Sequence, residues 1–212
     1  MSNTNLPFQS EIIYEAIITT YDQQNQPNAA PMGFLITKEK QVIIRPFKET
    51  DTYKNLQHQK KCIINITNDP DLFVKSTLFQ NLLTDEFYII SKTISAPILK
   101  ACKGNYIALK VNKEIEEEER GIFYCEIIKV ELSKDSIQPH TRAFSSLIEI
   151  LIHSTRVIHF SMTSGPLDPK VKQLREFIEH HSQIISRVTN KESQFQKYVE
   201  KIQEKIKQEV RE

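Results

Sequence analysis

Asn28 to Asn68 reads NAAPMGFLITKEKQVIIRPFKETDTYKNLQHQKKCIINITN, and this stretch decides the fold. Three apolar, strand-like runs alternate in it with segments rich in hydroxyls, amides and basic groups, a punctuation that suits a polar ligand held against a sheet. The middle segment leaves a strand at Arg45 and offers Thr50 or Thr52 as the cap of a short helix. A capping oxygen satisfies the first free amides of a helix, and those amides, with the dipole behind them, attract an anion such as phosphate. The same residues serve equally as an ordinary helix cap beside a solvated arginine, because no glycine-rich phosphate loop is present.

Upstream, Ile12 to Thr20 (IIYEAIITT) is rich in β-branched and aromatic residues and reads as a strand, followed by a turn over Tyr21 to Pro27. The strand resumes near Asn28, so Thr20 and the Asn28-Ala29-Ala30-Pro31-Met32 run lie side by side in a hairpin. Small residues there let a flat ligand approach the backbone, and Pro31 marks an edge or bulge. Downstream, strands are expected at Gln41 to Pro46, Cys62 to Thr67, Phe87 to Ile90, Asn105 to Val111 and Gly121 to Leu132. Helices are expected at Thr52 to Gln59 and from Asp71. The acidic run Glu114 to Arg120 is expected to be a solvated hairpin tip.

The pattern changes at Pro139. From Thr141, Phe144, Leu147, Ile148, Leu151, Ile152 and Thr155 recur at helical spacing on one face, which is expected to pack against the barrel or a partner. Asp168-Pro169 opens a second helix and Thr189-Asn190 precedes a third. The expected organisation is therefore a barrel over residues 1–138 and a helical subdomain over 139–212, in an α+β fold.

Composition bounds the function. With 212 residues, 26% charged and a formal charge of +1, the chain is not an electrostatically driven nucleic-acid binder. No apolar run reaches bilayer length and the first ten residues lack a signal-peptide pattern, so a cytoplasmic protein without membrane attachment is expected. Cys62, Cys102 and Cys125 are widely spaced, His180 and His181 are adjacent, and His153 and His159 fall on no common ligand spacing, so no metal is expected. Four glycines and no tryptophan leave neither a Rossmann fingerprint nor an aromatic nucleic-acid platform.

Five ordered segments resemble one family: Tyr14 to Thr20, Asn28 to Gly33, Ile44 to Phe47, Thr50 to Leu56 and Asn65 to Val74, with Arg142 to Arg156 similar to its first C-terminal helix. The family is DUF447, mainly archaeal proteins of unknown function that resemble FMN-binding split barrels related to flavin reductases and pyridoxamine-phosphate oxidases. The resemblance implies FMN at a homodimer interface, with Arg45, Thr50 and Thr52 on the phosphate, Lys48 and Asn55 assisting, and Thr20 and Asn28 to Met32 at the ring. The hairpin turn Asn25-Gln26-Pro27 departs from the glycine-containing form expected of the family. A flavin-dependent oxidoreductase using a small-molecule or nicotinamide donor follows, and the alternative is a non-catalytic flavin carrier, sensor or partner-binding dimer. No catalytic residue is assigned.

Overall fold

The computed structural model describes residues 6, 8–133 and 139–210. Its strands form where β-branched residues run without interruption. β1 (Ile13–Tyr21) and β2 (Pro27–Ile36) make the hairpin, and β3 (Val42–Ile44) follows. β4 (Lys61–Asn65) comes after helix α1 (Asp51–Gln59). Helix α2 (Pro70–Leu78) leads to the short β5 (Tyr88–Ile90) and β6 (Pro97–Leu99). The long β7 (Asn105–Glu116) and β8 (Gly121–Leu132) end this half of the chain. The barrel closes in the order β1-β2-β3-β8-β7-β4, while β5 and β6 pair in a separate sheet.

The near-continuous apolar reading of β1 has a structural cause: every residue from Ala16 to Thr20 is buried, so the strand is covered on both faces. Ile17 and Ala29 pack with Leu72, Leu83, Leu99 and Cys102, and Ile63 with Ile98, Tyr106 and Ala108, which places α2 and the β5–β6 pair over one side of the barrel wall. Asn65 locks this layer down. It is fully buried, donates to the Ile17 carbonyl at 3.0 Å and the Thr19 hydroxyl at 2.9 Å, and accepts from the Leu99 amide at 2.9 Å. Three partners satisfy a side chain whose burial would otherwise be costly.

In the hairpin turn Asn25 takes the left-handed conformation, φ 59°, which asparagine tolerates better than most residues, so the turn closes without glycine. The Asp22 carboxylate accepts from the Gln24 amide at 2.8 Å and the Gln26 amide at 2.7 Å. Gly121 has a different duty: a Cβ there would lie 2.4 Å from the Tyr53 ring, so its missing side chain is what lets α1 sit against the start of β8.

The chain divides into two compact units, Met1–His140 and Thr141–Glu212. His140 stays with the first because its carbonyl accepts from the Glu15 amide at 2.8 Å. The second unit holds α3 (Arg142–Ser164), α4 (Pro169–Val188) and α5 (Gln194–Glu209), each capped by an oxygen side chain: Thr141, Asp168 and Ser193. Within this unit α3 buries mainly small residues. The buried residues are Ala143, Ser146, Leu147, Ile150, Ser154, Val157 and Ser161, while Phe144, Ile148, Leu151 and Ile152 are exposed. Small side chains let α3 and its helical neighbours approach closely, and hydrophobicity by itself points to the larger residues instead. Among the described residues no helix is long and apolar enough to cross a membrane.

Candidate functional site

β1 ends where β2 begins, with Thr20 opposite Asn28 and Thr19 opposite Ala29. Helix α1 packs against both strands and buries Leu56, while its Tyr53 ring turns to Phe123 of β8, with centroids 5.6 Å apart. Two side-chain hydrogen bonds fix its position. Asn55 donates to the Thr20 hydroxyl at 3.0 Å, and Asn28 donates to the Thr52 hydroxyl at 3.2 Å. Thr20, Thr52 and Asn55 are all buried, so these polar groups have a constrained geometry.

The choice of cap is resolved in favour of Thr50, whose hydroxyl accepts from the Tyr53 amide at 3.3 Å and donates to the Phe47 carbonyl at 2.7 Å. With Tyr53 N–H satisfied by the cap, the Asp51 and Thr52 amides are the donors remaining at the helix start. Thr52 lies within the first turn and is turned toward β2.

The Asn28 to Met32 run divides between two environments, as alternation along a strand requires. Ala29 sits in the cluster with Ile17 and Leu72, and its carbonyl accepts from the Gln80 side chain at 3.2 Å. Asn28 turns to α1 instead, and Ala30, Pro31 and Met32 are half-buried.

The acidic run is the exposed hairpin tip between β7 and β8, and it also makes surface ion pairs. β7 continues to Glu116, and the tip folds toward the segment after β3. The Arg45 guanidinium pairs with Glu117 at 2.7 Å, Lys48 with Glu116 at 3.2 Å, and Lys60 with Glu114 at 3.1 Å. Arg120 donates to the Arg45 carbonyl at 3.1 Å and lies over the Phe47 ring at 3.6 Å. Backbone bonds from Lys48 to Glu119 and from Gly121 to Pro46, both 3.0 Å, complete the clasp. Burial, followed by Glu116 and Glu114, raises the Tyr53 phenol above its ordinary pKa. Sequence reasoning missed Glu116, Glu117, Gln80 and Asn65. The complementary charge of the Arg45–Lys48 segment and the acidic run was the one available signal for the first two.

A second polar cluster lies within the helical unit, where Glu149, His153 and His181 converge. Burial, reinforced by His180 and opposed by Glu149, lowers the His181 pKa.

The closed six-stranded antiparallel barrel is a split barrel of the kind seen in flavin reductases, and five α-helices accompany it among the described residues. The model of the DUF447 N-terminal domain, a protein of unknown function, matches residues 14–134, and that of the DUF447 C-terminal region matches residues 141–207. The chain belongs to the DUF447 family. Its fold is similar to that of an FMN-bound DUF447 protein, MM1853 from Methanosarcina mazei, with a TM-score of 0.52 at 22% identity over 91% of this chain and 95% of that one. The Streptomyces globisporus NADH:FAD oxidoreductase SgcE6, in complex with NAD and FAD fragments, gives a TM-score of 0.52 at 11% identity over 61% and 80%. The Pseudomonas fluorescens 2-nitrobenzoate 2-nitroreductase NbaA gives 0.50 at 19% identity over 60% and 68%.

Proposed function

We propose that the protein binds FMN where the β1–β2 ends meet the start of α1, and that it works as an FMN-dependent oxidoreductase. The observation that carries this reading is the Asn28–Thr52 hydrogen bond, which joins the strand expected at the flavin ring to the helix start expected at the phosphate. The donor set suits a phosphate: the Thr52 hydroxyl and the first amides of α1 stand on one short segment with Arg45 and Lys48, and the Thr50 hydroxyl would join them by turning its proton from the Phe47 carbonyl. Both cations are partly exposed in their glutamate pairs, and such pairs contribute about 0–1 kcal/mol, so a doubly charged phosphate is a stronger partner than either carboxylate.

Bound FMN would supply the redox chemistry. The chain's own part is to hold the phosphate, orient the ring beside Asn28 to Met32 and position Thr20 and Thr52 through Asn55 and Asn28. A nicotinamide nucleotide is the donor class this reading expects. A homodimer is the expected assembly, supported by Val74, Leu78, Phe79 and Leu82, which α2 and the segment after it leave exposed.

Equilibrium dialysis against FMN and riboflavin tests the binding. Stoichiometric uptake with FMN preferred is expected, and no preference would remove the phosphate assignment. Oxidation of NADH or NADPH by the FMN-loaded protein is expected of an oxidoreductase. Uptake without turnover under either nucleotide would favour a carrier or sensor.

A further inference from the structure

We propose that the helical unit carries a divalent transition-metal site formed by Glu149 and His153 of α3 and His181 of α4. One ligand atom from each of the three lies within 4.8 Å of the others. Glu149 and His153 stand one helical turn apart, with the His153 Nε2 3.7 Å from the Glu149 carboxylate, and His181 arrives from the facing helix. Spacing along the chain hides this group, because its third member is distant in sequence.

The donor chemistry selects the cation. Two imidazoles and one carboxylate suit Zn2+ and its neighbours, whereas Mg2+ and Ca2+ prefer oxygen ligands. In a tetrahedral zinc site with metal–ligand distances of about 2.0–2.1 Å, ligand atoms stand roughly 3.3 Å apart. Closing from the present separations needs a small movement, and Glu149 is free to make it, since its side chain is 46% exposed. Three protein ligands leave a fourth position for water or an exogenous group.

Two further observations bear on the donors. The His153 ring is held against Phe177 with centroids 5.1 Å apart, and its buried Nδ1 makes no hydrogen bond among the described residues, so neither ring nitrogen is committed to a hydrogen-bond partner. The His181 Nδ1 lies 3.3 Å from the Ser146 hydroxyl, an outer contact of the kind that orients a ligating imidazole and leaves its Nε2 for the metal. A helix-surface Glu–His pair would need neither the second histidine nor its orienting serine. The site is independent of the flavin reading, since all four residues lie in Thr141–Glu212.

The test uses the full-length protein without a histidine tag, stripped with chelator and titrated with Zn2+ by calorimetry. One equivalent per chain is expected, together with a rise in melting temperature. His153→Gln and His181→Gln should each weaken binding at least tenfold, and Glu149→Gln should weaken it less. No uptake by the wild-type chain would overturn the proposal, as would unchanged affinity in a folded His153→Gln/His181→Gln double variant. If those variants do not fold, Co2+ absorption of the wild-type chain decides. Visible bands without thiolate charge transfer are expected, whereas a thiolate band would assign the metal to the cysteines and overturn the site.

Discussion

The Asn28 side-chain amide donates to the Thr52 hydroxyl across 3.2 Å, fastening the start of β2 to the first turn of α1. A second amide–hydroxyl pair, Asn55 to Thr20 at 3.0 Å, ties the same helix to the end of β1. The two contacts hold the hairpin and helix in one register while leaving the cap residue Thr50 at the edge. Asn28→Ala removes one part-buried hydrogen bond and should cost about 0.5–1.5 kcal/mol of stability. Its effect on FMN affinity should be larger than that of Gln24→Ala in the exposed turn, and equal effects on FMN binding would place the ring elsewhere. Urea unfolding and FMN titration of both variants measure this.

Arg45 and Glu117 should act with opposite signs on FMN. Arg45→Ala removes a charge-assisted phosphate contact worth about 1.5–3 kcal/mol, or roughly one to two decades in affinity, with riboflavin binding unchanged. Glu117→Gln frees the Arg45 guanidinium from its 2.7 Å pair and should tighten FMN by up to about fivefold, the value of an exposed ion pair. Weaker FMN binding in Glu117→Gln would contradict competition between carboxylate and phosphate.

Asn65→Ala should be among the more damaging single changes in the barrel. It strands the Leu99 amide and removes the donor to the Thr19 hydroxyl and Ile17 carbonyl, each a buried group. Leaving one such group unpaired costs about 1–3 kcal/mol. A fall in the urea midpoint of that order is expected, with the same dependence on denaturant, and a neutral effect would mean that water enters the layer between β1, β4 and β6.

Alkaline pH should destabilise the barrel half through its buried thiols. Burial, with Asp69 adding, pushes the Cys102 thiol up to about 12, and the adjacent Cys125 thiol and burial raise that of Cys62. Unfolded thiols titrate near about 8.5, so above that pH the unfolded chain sheds protons that the folded chain keeps. The stabilisation is therefore complete below about pH 8.5 and is lost as pH climbs toward the folded values, by at most about 1.4 kcal/mol per pH unit per thiol. Urea midpoints between about pH 7 and pH 10 give the slope, and Cys102→Ala should reduce it. Native Cys102 should also resist alkylation until the protein unfolds.

Much of the barrel was legible because its strands carry β-branched runs bounded by turn chemistry. β1, β4 and β8 fall within about two residues of their expected positions, and Asp69-Pro70 opens α2 as its composition indicates. β6 was not legible, since Pro97-Ile98-Leu99 is short and starts with proline, and pairs only with the equally short β5. The large apolar residues of α3 mark a different side from the one buried among its helical neighbours, where small residues allow close packing. In the candidate site, Thr50, Thr52 and Arg45 carried a local signal. Their connections to Asn28 and Glu117 span 24 and 72 residues, and no local pattern encodes such distances.

The clasp between the acidic tip and the Arg45–Lys48 segment also governs how ionic strength reaches the candidate site. Dissolved salt screens the pull of the two cations on an incoming phosphate, and it equally loosens Glu116 and Glu117, which hold those cations beforehand. The two effects oppose one another. The tip thus serves as a tethered counterion, present at a fixed local concentration whatever the surrounding electrolyte, and at the proposed phosphate site it would lessen the dependence of FMN affinity on salt.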